Sequence, residues 1–536
     1  MPNRWAIASG NWSDPLIWNG GTKPVAGDDV FANNQSVYID ETVTVATLRN
    51  AASASAILAS GSFYLNDGVT VNLTAANAIV PAASRVPLLI ISSSNSARIN
   101  GTLNVATSQG TNPVIVMSGS SNLTISGSFI AASELGSPAN TSGSIQHASS
   151  GSLIITGSVT ANTGGSSNSH AIVMTGNGST YITGSLTGAG AGGFGISKIA
   201  GSGSIYITAS NLTPGGSGQT IFKSGSGDIE ILGNVIASAG GNCIVNNSGG
   251  GTIRVTGNVV GGGAFFNGIR NEISNALIII TGSVIGAGGD AQGIRNIGLN
   301  STIIVSGSVL GGTSTAFGIN LASNPSTLIV TGSVIGSSTA GAIQNTTTAI
   351  VNITGSVAAG IGGSAISNTS TGTLTIQGPI SASLTFPGIQ STSTGNVFLT
   401  GPFLNVNNRN AVFAQNLQLI SGSTPTWQFD TETFGGTKIL YTSGSVTGYP
   451  SISNVRNGVI YGDTNQFTGT VVIPAASNVI RGALVDNTTG SASFTTQNAW
   501  NAATGSLTVS GSIGARLRNT ATVNTDAALI TTRRKI

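Results

Sequence analysis

One phrase, Ile-Thr-Gly-Ser-Val with its variants, returns through most of this 536-residue chain at a nearly fixed interval. That interval limits the fold more than any other feature, because a fixed period of 20–50 residues means a stack of like units. The phrase places Gly127, Gly157, Gly184, Gly233, Gly257, Gly282, Gly307, Gly332, Gly355, Gly378 and Gly401, with Ala209 in the one slot lacking glycine and Gly101 one step upstream. The spacing falls from 30 and 27 residues to between 23 and 25. Isoleucines keep step in a second row running from Ile145 and Ile172 through Ile244, Ile269, Ile294 and Ile319 to Ile389. Two landmarks in phase mean that every unit is the same supersecondary structure, with variable insertions confined to the early turns.

Within a unit, Thr252-Ile253-Arg254-Val255-Thr256-Gly257-Asn258-Val259 alternates apolar and polar residues, the pattern of a strand with one buried face. Such short strands cannot bury that face alone. Stacking the units solves the problem, each coil of about 24 residues lying parallel to the next at roughly 4.8 Å. The fold class is therefore all-β, a parallel β-helix, with the Gly and Ser of the corners supplying tight bends. The thirteen glycine-slot markers give a column about 58 Å long. Leucine-rich repeats would need a Leu-x-x-Leu-x-Leu pattern that is missing, and a calcium-binding solenoid would need recurrent Asp, which only Gly288-Gly289-Asp290 approaches.

Composition supports the same conclusion and narrows the function. Only 7% of residues are charged, and 77 are glycine. Disorder needs high charge and few apolar residues, and helical folds need a different set of leading residues. The 19 basic against 16 acidic residues leave a net charge of +3, too weak a field to hold nucleic acid. The excess lies at the C-terminal end, in Arg516, Arg518, Arg533, Arg534 and Lys535 among others, and reads as a solvated tail. One cysteine, Cys243, allows no disulfide within the chain; it falls where other units carry Gly or Ala and is read as a small buried residue. The start lacks the apolar core of a secretory signal, and no apolar run is long enough to insert in a membrane. A chain that folds in a cytoplasm yet has the composition of an extracellular fibre is expected to be a virion component.

Chemistry-bearing residues are sparse. Two positions after the isoleucine stand Asn246, Asn271, Asn296, Asn345 and Asn368, expected to stack as a structural amide ladder. Earlier units place His147, Met174, Lys198 and Lys223 in that slot, where the side chain is expected to reach a turn or solvent. A β-helix hydrolase or lyase needs acidic residues converging on one flank, and the column offers Glu134, Asp228, Glu230, Glu272 and Asp290. Alignment of the coils puts Glu230 beside Arg254, predicting a cross-coil ion pair in place of a catalytic carboxylate. His147 and His170 have no cysteine or acidic companions that would suggest a metal, and no glycine precedes a lysine as a P-loop requires. No cofactor, metal or catalytic residue is expected.

The ends differ from the column. Residues 1–55, holding Trp5, Trp12 and Trp18, are expected to form a capping or attachment module, residues 56–404 the β-helix, and 405–536 a β-rich module. A short helix is expected from Thr495 to Ala503, anchored by Trp500.

The opening Gly10-Asn11-Trp12-Ser13-Asp14-Pro15-Leu16-Ile17-Trp18-Asn19-Gly20-Gly21, with Gly27-Asp28-Asp29-Val30 and Val37-Tyr38-Ile39-Asp40, resembles the start of repeat-rich structural and fibre proteins of tailed bacteriophages, marine and cyanobacterial ones included. Related openings occur in bacterial surface adhesins. Near the other end, Val455-Arg456-Asn457-Gly458-Val459-Ile460-Tyr461-Gly462, Thr468-Gly469-Thr470-Val471-Val472-Ile473-Pro474 and Val485-Asp486-Asn487-Thr488-Thr489-Gly490 are similar to segments of phage and prophage fibre-like proteins. Under a third of the chain is covered. The resemblance implies a virion structural role, tail, baseplate or capsid proteins as partners, a host surface glycan as a contact, and a homotrimer, without transferring a catalytic residue. The competing expectations are a polysaccharide depolymerase and a surface adhesin.

Overall fold

A computed structural model describes most of residues 3–399, and beyond them five short strands between 412 and 489. The larger gaps are 50–60, 76–78, 81–85, 105–112, 131–142, 162–169, 189–193 and 382–385, and the shorter ones are 216–217, 238–239, 264, 290, 324–325 and 338. The described chain winds as a parallel β-solenoid of roughly 25 residues per coil. Each regular coil supplies three strands, such as Ile244–Asn246, Thr252–Thr256 and Val259–Val260, and each pairs in parallel with its counterpart one coil away.

The first ladder carries the isoleucine row. Val37, Phe63, Leu89, Ile115, Ile145, Ile172 and Ile196 are successive register partners, followed by Ile221, Ile244, Ile269, Ile294, Ile319, Ile343, Ile366 and Ile389. The second ladder buries pairs two apart, such as Ile253 with Val255 and Ile278 with Ile280, and the third buries one residue per coil, among them Val259, Val284 and Val309. Each coil thus gives the interior about four apolar side chains. At roughly 1.5–3 kcal/mol for each fully buried aliphatic side chain, this is the term that holds the coils together.

The glycine landmark marks the bend between the second and third ladders, where neighbouring backbones come closest. A Cβ on Gly282 would collide with the carbonyl of Gly257, and one on Gly307 with that of Gly282. The exception at Ala209 is compensated: the register shifts between Thr208 and Asn211, one extra residue bulging from that coil.

Winding begins before residue 56. Gly10–Asn11 pairs with Ser36–Ile39, which pairs with Ser62–Leu65, so the expected separate cap already contributes coils to the first ladder. Two of its three tryptophans occupy the interior there, while Trp5 is exposed. Trp12 and Trp18 meet edge to face at 4.8 Å and are almost wholly buried, and Trp18 Nε1 donates to the Trp12 carbonyl at 3.0 Å. Beside them Asn3–Trp5, Asp29–Phe31, Thr47–Arg49 and Ile79–Val80 form a small parallel sheet. The chain divides into the units Met1–Gly448 and Tyr449–Ile536. The second contains two antiparallel pairs, Ile460–Tyr461 with Phe467–Thr468 and Leu484–Val485 with Thr488–Thr489. The helix expected at 495–503 and the basic C-terminal residues lie outside the described residues.

Candidate functional site

The asparagine slot is an interior row. Asn246, Asn271, Asn296, Asn345 and Asn368 have no exposed surface. Burial of an amide requires partners, and the stack supplies them. Asn246 Nδ2 donates to Asn271 Oδ1 at 2.7 Å, and Asn271 Nδ2 to Asn296 Oδ1 at 2.7 Å. After a break at Leu321, which sits in the same slot, Asn345 Nδ2 donates to Asn368 Oδ1 at 2.9 Å and Asn368 Nδ2 to Ser391 Oγ at 3.0 Å. At the break Asn296 Nδ2 turns to Ser326 Oγ at 3.0 Å and the Gly298 carbonyl at 3.2 Å.

The earlier coils overturn the expectation of an outward slot. Met117, His147, Met174, Lys198, Lys223 and Asn246 are consecutive register partners, and all are fully buried. Strand alternation keeps one face inside whatever residue occupies it, so the row changes from apolar to cationic to amide without turning over. Lys223 Nζ donates to Asn246 Oδ1 at 3.2 Å and to the Gly250 carbonyl at 2.6 Å, while Lys198 Nζ donates to the Ala200 carbonyl at 3.4 Å. Burial lowers both lysines to about 8; Lys223 lowers Lys198 further, and Asp228 partly offsets the effect at Lys223.

His147 Nε2 meets the Gly151 carbonyl at 3.0 Å and Nδ1 meets Thr180 Oγ1 at 3.2 Å, an arrangement suited to the neutral ring. Burial lowers it to about 4, the Gly151 hydrogen bond opposing and Lys198 assisting. His170 is also lowered to about 4 by burial; its Nδ1 accepts the Phe194 N–H at 3.1 Å and its ring stacks on Phe194 at 4.7 Å. The two histidines are on neighbouring coils but out of register, since His170 pairs with Gly143 and His147 with Met174. Cys243 has no exposed surface, and burial pushes its thiol up to about 12, so it is held as the unreactive thiol. Among the described residues no three His, Cys, Asp or Glu side chains gather as a metal site, and no helix is long and apolar enough to cross a membrane.

Glu230 and Arg254 are register partners, as their alignment predicts. Their charged groups nevertheless do not meet: no salt bridge within 4.0 Å joins them. Both side chains are exposed, and water competes for each charge. Asp228 instead accepts the Thr252 N–H at 2.6 Å, tying its own coil to the next. On the same outward row Tyr206, the partner of Glu230, stacks on Tyr181 at 4.8 Å. Glu272 pairs with Arg270 at 2.5 Å, and Glu134 and Asp290 lie outside the described residues.

The repeat carried a signal for these outward rows as well. The same step that aligns the asparagines aligns Tyr181 with Tyr206 and Arg270 with Arg295, but the outer positions vary in chemistry from coil to coil and do not stand out as a motif.

No protein-family model, no curated protein and no solved structure matches the chain.

Proposed function

We propose that the chain is a non-enzymatic structural protein of a tailed-phage virion, a fibre or spike component in which the solenoid serves as a rigid spacer and its outer faces meet the host surface. The observation that carries this reading is the unbroken register of the first ladder from Val37 to Ile389. A column in which every coil is hydrogen-bonded to the next along its length resists bending and transmits load, properties suited to a spacer. The acidic side chains fit a structural role, since Asp228 holds a neighbouring coil's backbone and Glu272 is paired with Arg270. Outer rows of low charge, with Thr, Ser and Asn prominent, lack the repulsion that keeps columns apart, which supports assembly as a homo-oligomer, a trimer on the phage resemblance.

The test is immunogold electron microscopy, with antibody to the purified chain, on virions of a phage whose genome encodes it. Labelled fibres or spikes are expected, with a trimeric mass by light scattering; unlabelled virions would refute the assignment. Incubating the intact assembly with host capsule or lipopolysaccharide and sizing the glycan checks the enzymatic alternative. Shortening abolished by Asp228→Asn or Glu230→Gln would replace the spacer with a depolymerase.

A further inference from the structure

The tetrapeptide Gly-Ile-Arg-Asn occurs at Gly268–Asn271 and again at Gly293–Asn296. Because its isoleucine and asparagine face the interior, the arginine between them faces outward. Arg270 and Arg295 are register partners on adjacent coils, which puts their backbones about 4.8 Å apart. Like charges in that relation oppose each other and call for a counter-charge. Glu272 supplies one to Arg270, with Nη2 to Oε1 at 2.5 Å, whereas Arg295 has no carboxylate within salt-bridge reach among the described residues.

A second observation concerns unmet hydrogen bonding. Nε of both arginines is shielded from solvent and has no acceptor, and Oδ1 of Asn320, the register partner of Arg295 on the following coil, is shielded and has no donor. The row continues in polar amides and a hydroxyl, through Gln344, Ser367 and Gln390. It therefore sets an uncompensated cation at the head of a row of amides and a hydroxyl. One ligand type offers both complements: a sugar acid, whose carboxylate accepts from the guanidinium and whose hydroxyls exchange hydrogen bonds with the polar side chains of the row.

We propose that this outward row, centred on Arg295 and Asn320, binds a carboxylate-bearing polysaccharide lying along the solenoid axis. The proposal rests on the reading above, in which the outer faces meet a host surface, and specifies the chemistry of that contact. The planar fork of Arg295 suits a carboxylate, and Asn320 and Gln344 present one amide per coil at an interval comparable to a sugar ring. The row becomes apolar on the other side of Arg270, at Val245 and Phe222, so the polar strip has a defined end.

Affinity electrophoresis of the full-length protein through gels containing polygalacturonate, alginate or hyaluronate tests this, with dextran as the neutral polymer. Retardation by at least one acidic polymer but not by dextran is expected, weakening as salt rises. Arg295→Gln should lower that affinity by about tenfold or more, and Arg295→Lys, which keeps the charge but loses the fork, by less. Arg98→Gln, on the outward face of another ladder, should leave it unchanged, and circular dichroism will show whether each variant keeps its fold. No retardation of the wild type by any acidic polymer, equal retardation by dextran, or wild-type affinity in a folded Arg295→Gln would overturn the site. So would displacement of the polymer by inorganic phosphate as effective as by free galacturonate, since the contact would then be an oxyanion site only. Labelled virions without polymer binding would refute this site alone, and polymer binding with unlabelled virions would refute the fibre role alone.

Discussion

Lys223 Nζ lies 3.2 Å from Asn246 Oδ1 inside the column, so the amide ladder starts on an ammonium that has no exposed surface. Lys198 is stacked one coil away in the same slot, and His147 precedes it by two coils. Titration of the interior is thereby coupled to the stability of the coils between His147 and Asn246.

The sign of that coupling follows from proton counting. Lys198 and Lys223 are lowered from 10.5 to about 8, so between those values the unfolded chain binds more protons and folding stability rises with pH. His147 and His170, lowered from 6.5 to about 4, act likewise, and their contribution is lost as pH falls through that window. Cys243, raised from 9.0 to about 12, opposes the lysines above its ordinary range, leaving two rising contributions against one falling. Urea midpoints of this unit are expected in the order pH 4.5 below pH 7 below pH 10. Lys223→Asn, which keeps a donor for Asn246, should flatten the alkaline limb; a midpoint falling between pH 7 and 10 in the wild type would contradict the assignment.

The break at Leu321 permits a matched pair of substitutions. Asn271→Leu fits a slot that already accepts leucine, but it strands Asn246 Nδ2 and Asn296 Oδ1 in the interior. Two buried groups left without partners should cost about 2–6 kcal/mol. Leu321→Asn joins the two ladder segments through Asn296 and Asn345 and is expected to cost far less. Equal losses in equilibrium denaturation would show that hydrogen bonding contributes little in this row.

At Glu230 and Arg254 adjacency does not amount to an ion pair, since both are exposed register partners without a salt bridge. The charge reversals Glu230→Arg and Arg254→Glu should therefore be nearly additive in a double-mutant cycle, with little dependence on salt. A clear recovery in the double reversal would mean that the charges couple in solution.

The sequence made the coil legible because a small set of residues must recur in it: glycine where backbones approach, isoleucine where the interior is narrow, asparagine where one amide can satisfy the next. It was less informative where a slot keeps its direction but changes its chemistry. His147, Lys198 and Lys223 look like surface residues by composition, and only the strand register reveals that they share an interior row with Asn246. The ion pair failed for a related reason: register fixes which residues are neighbours, while solvent decides whether exposed charges close on one another. The row through Arg295 and Asn320 does not stand out in the sequence because neighbours across coils are scattered at intervals of about 25 residues along the chain.

Ala209 shows what replacing a landmark glycine demands. In its coil, Ile207 and Leu212, which face the interior, are five residues apart, while the corresponding Ile231 and Val235 one coil later are four apart. The extra residue gives the bend room for a side chain. Gly282 has no such allowance, and its added Cβ would meet the Gly257 carbonyl. Gly282→Ala should accordingly force two coils apart and cost about 2 kcal/mol or more. Gly250→Ala, in a turn where an added Cβ meets nothing within 4 Å, should change stability by less than about 0.5 kcal/mol. Inserting one residue after Ala287, in the neighbouring loop, should not rescue Gly282→Ala, whereas an insertion between Gly282 and Val284 should restore part of the loss by reproducing the Ala209 bulge. Equal midpoints for Gly282→Ala and wild type in urea would show that the coils can separate there without cost and that glycine is not required by backbone approach.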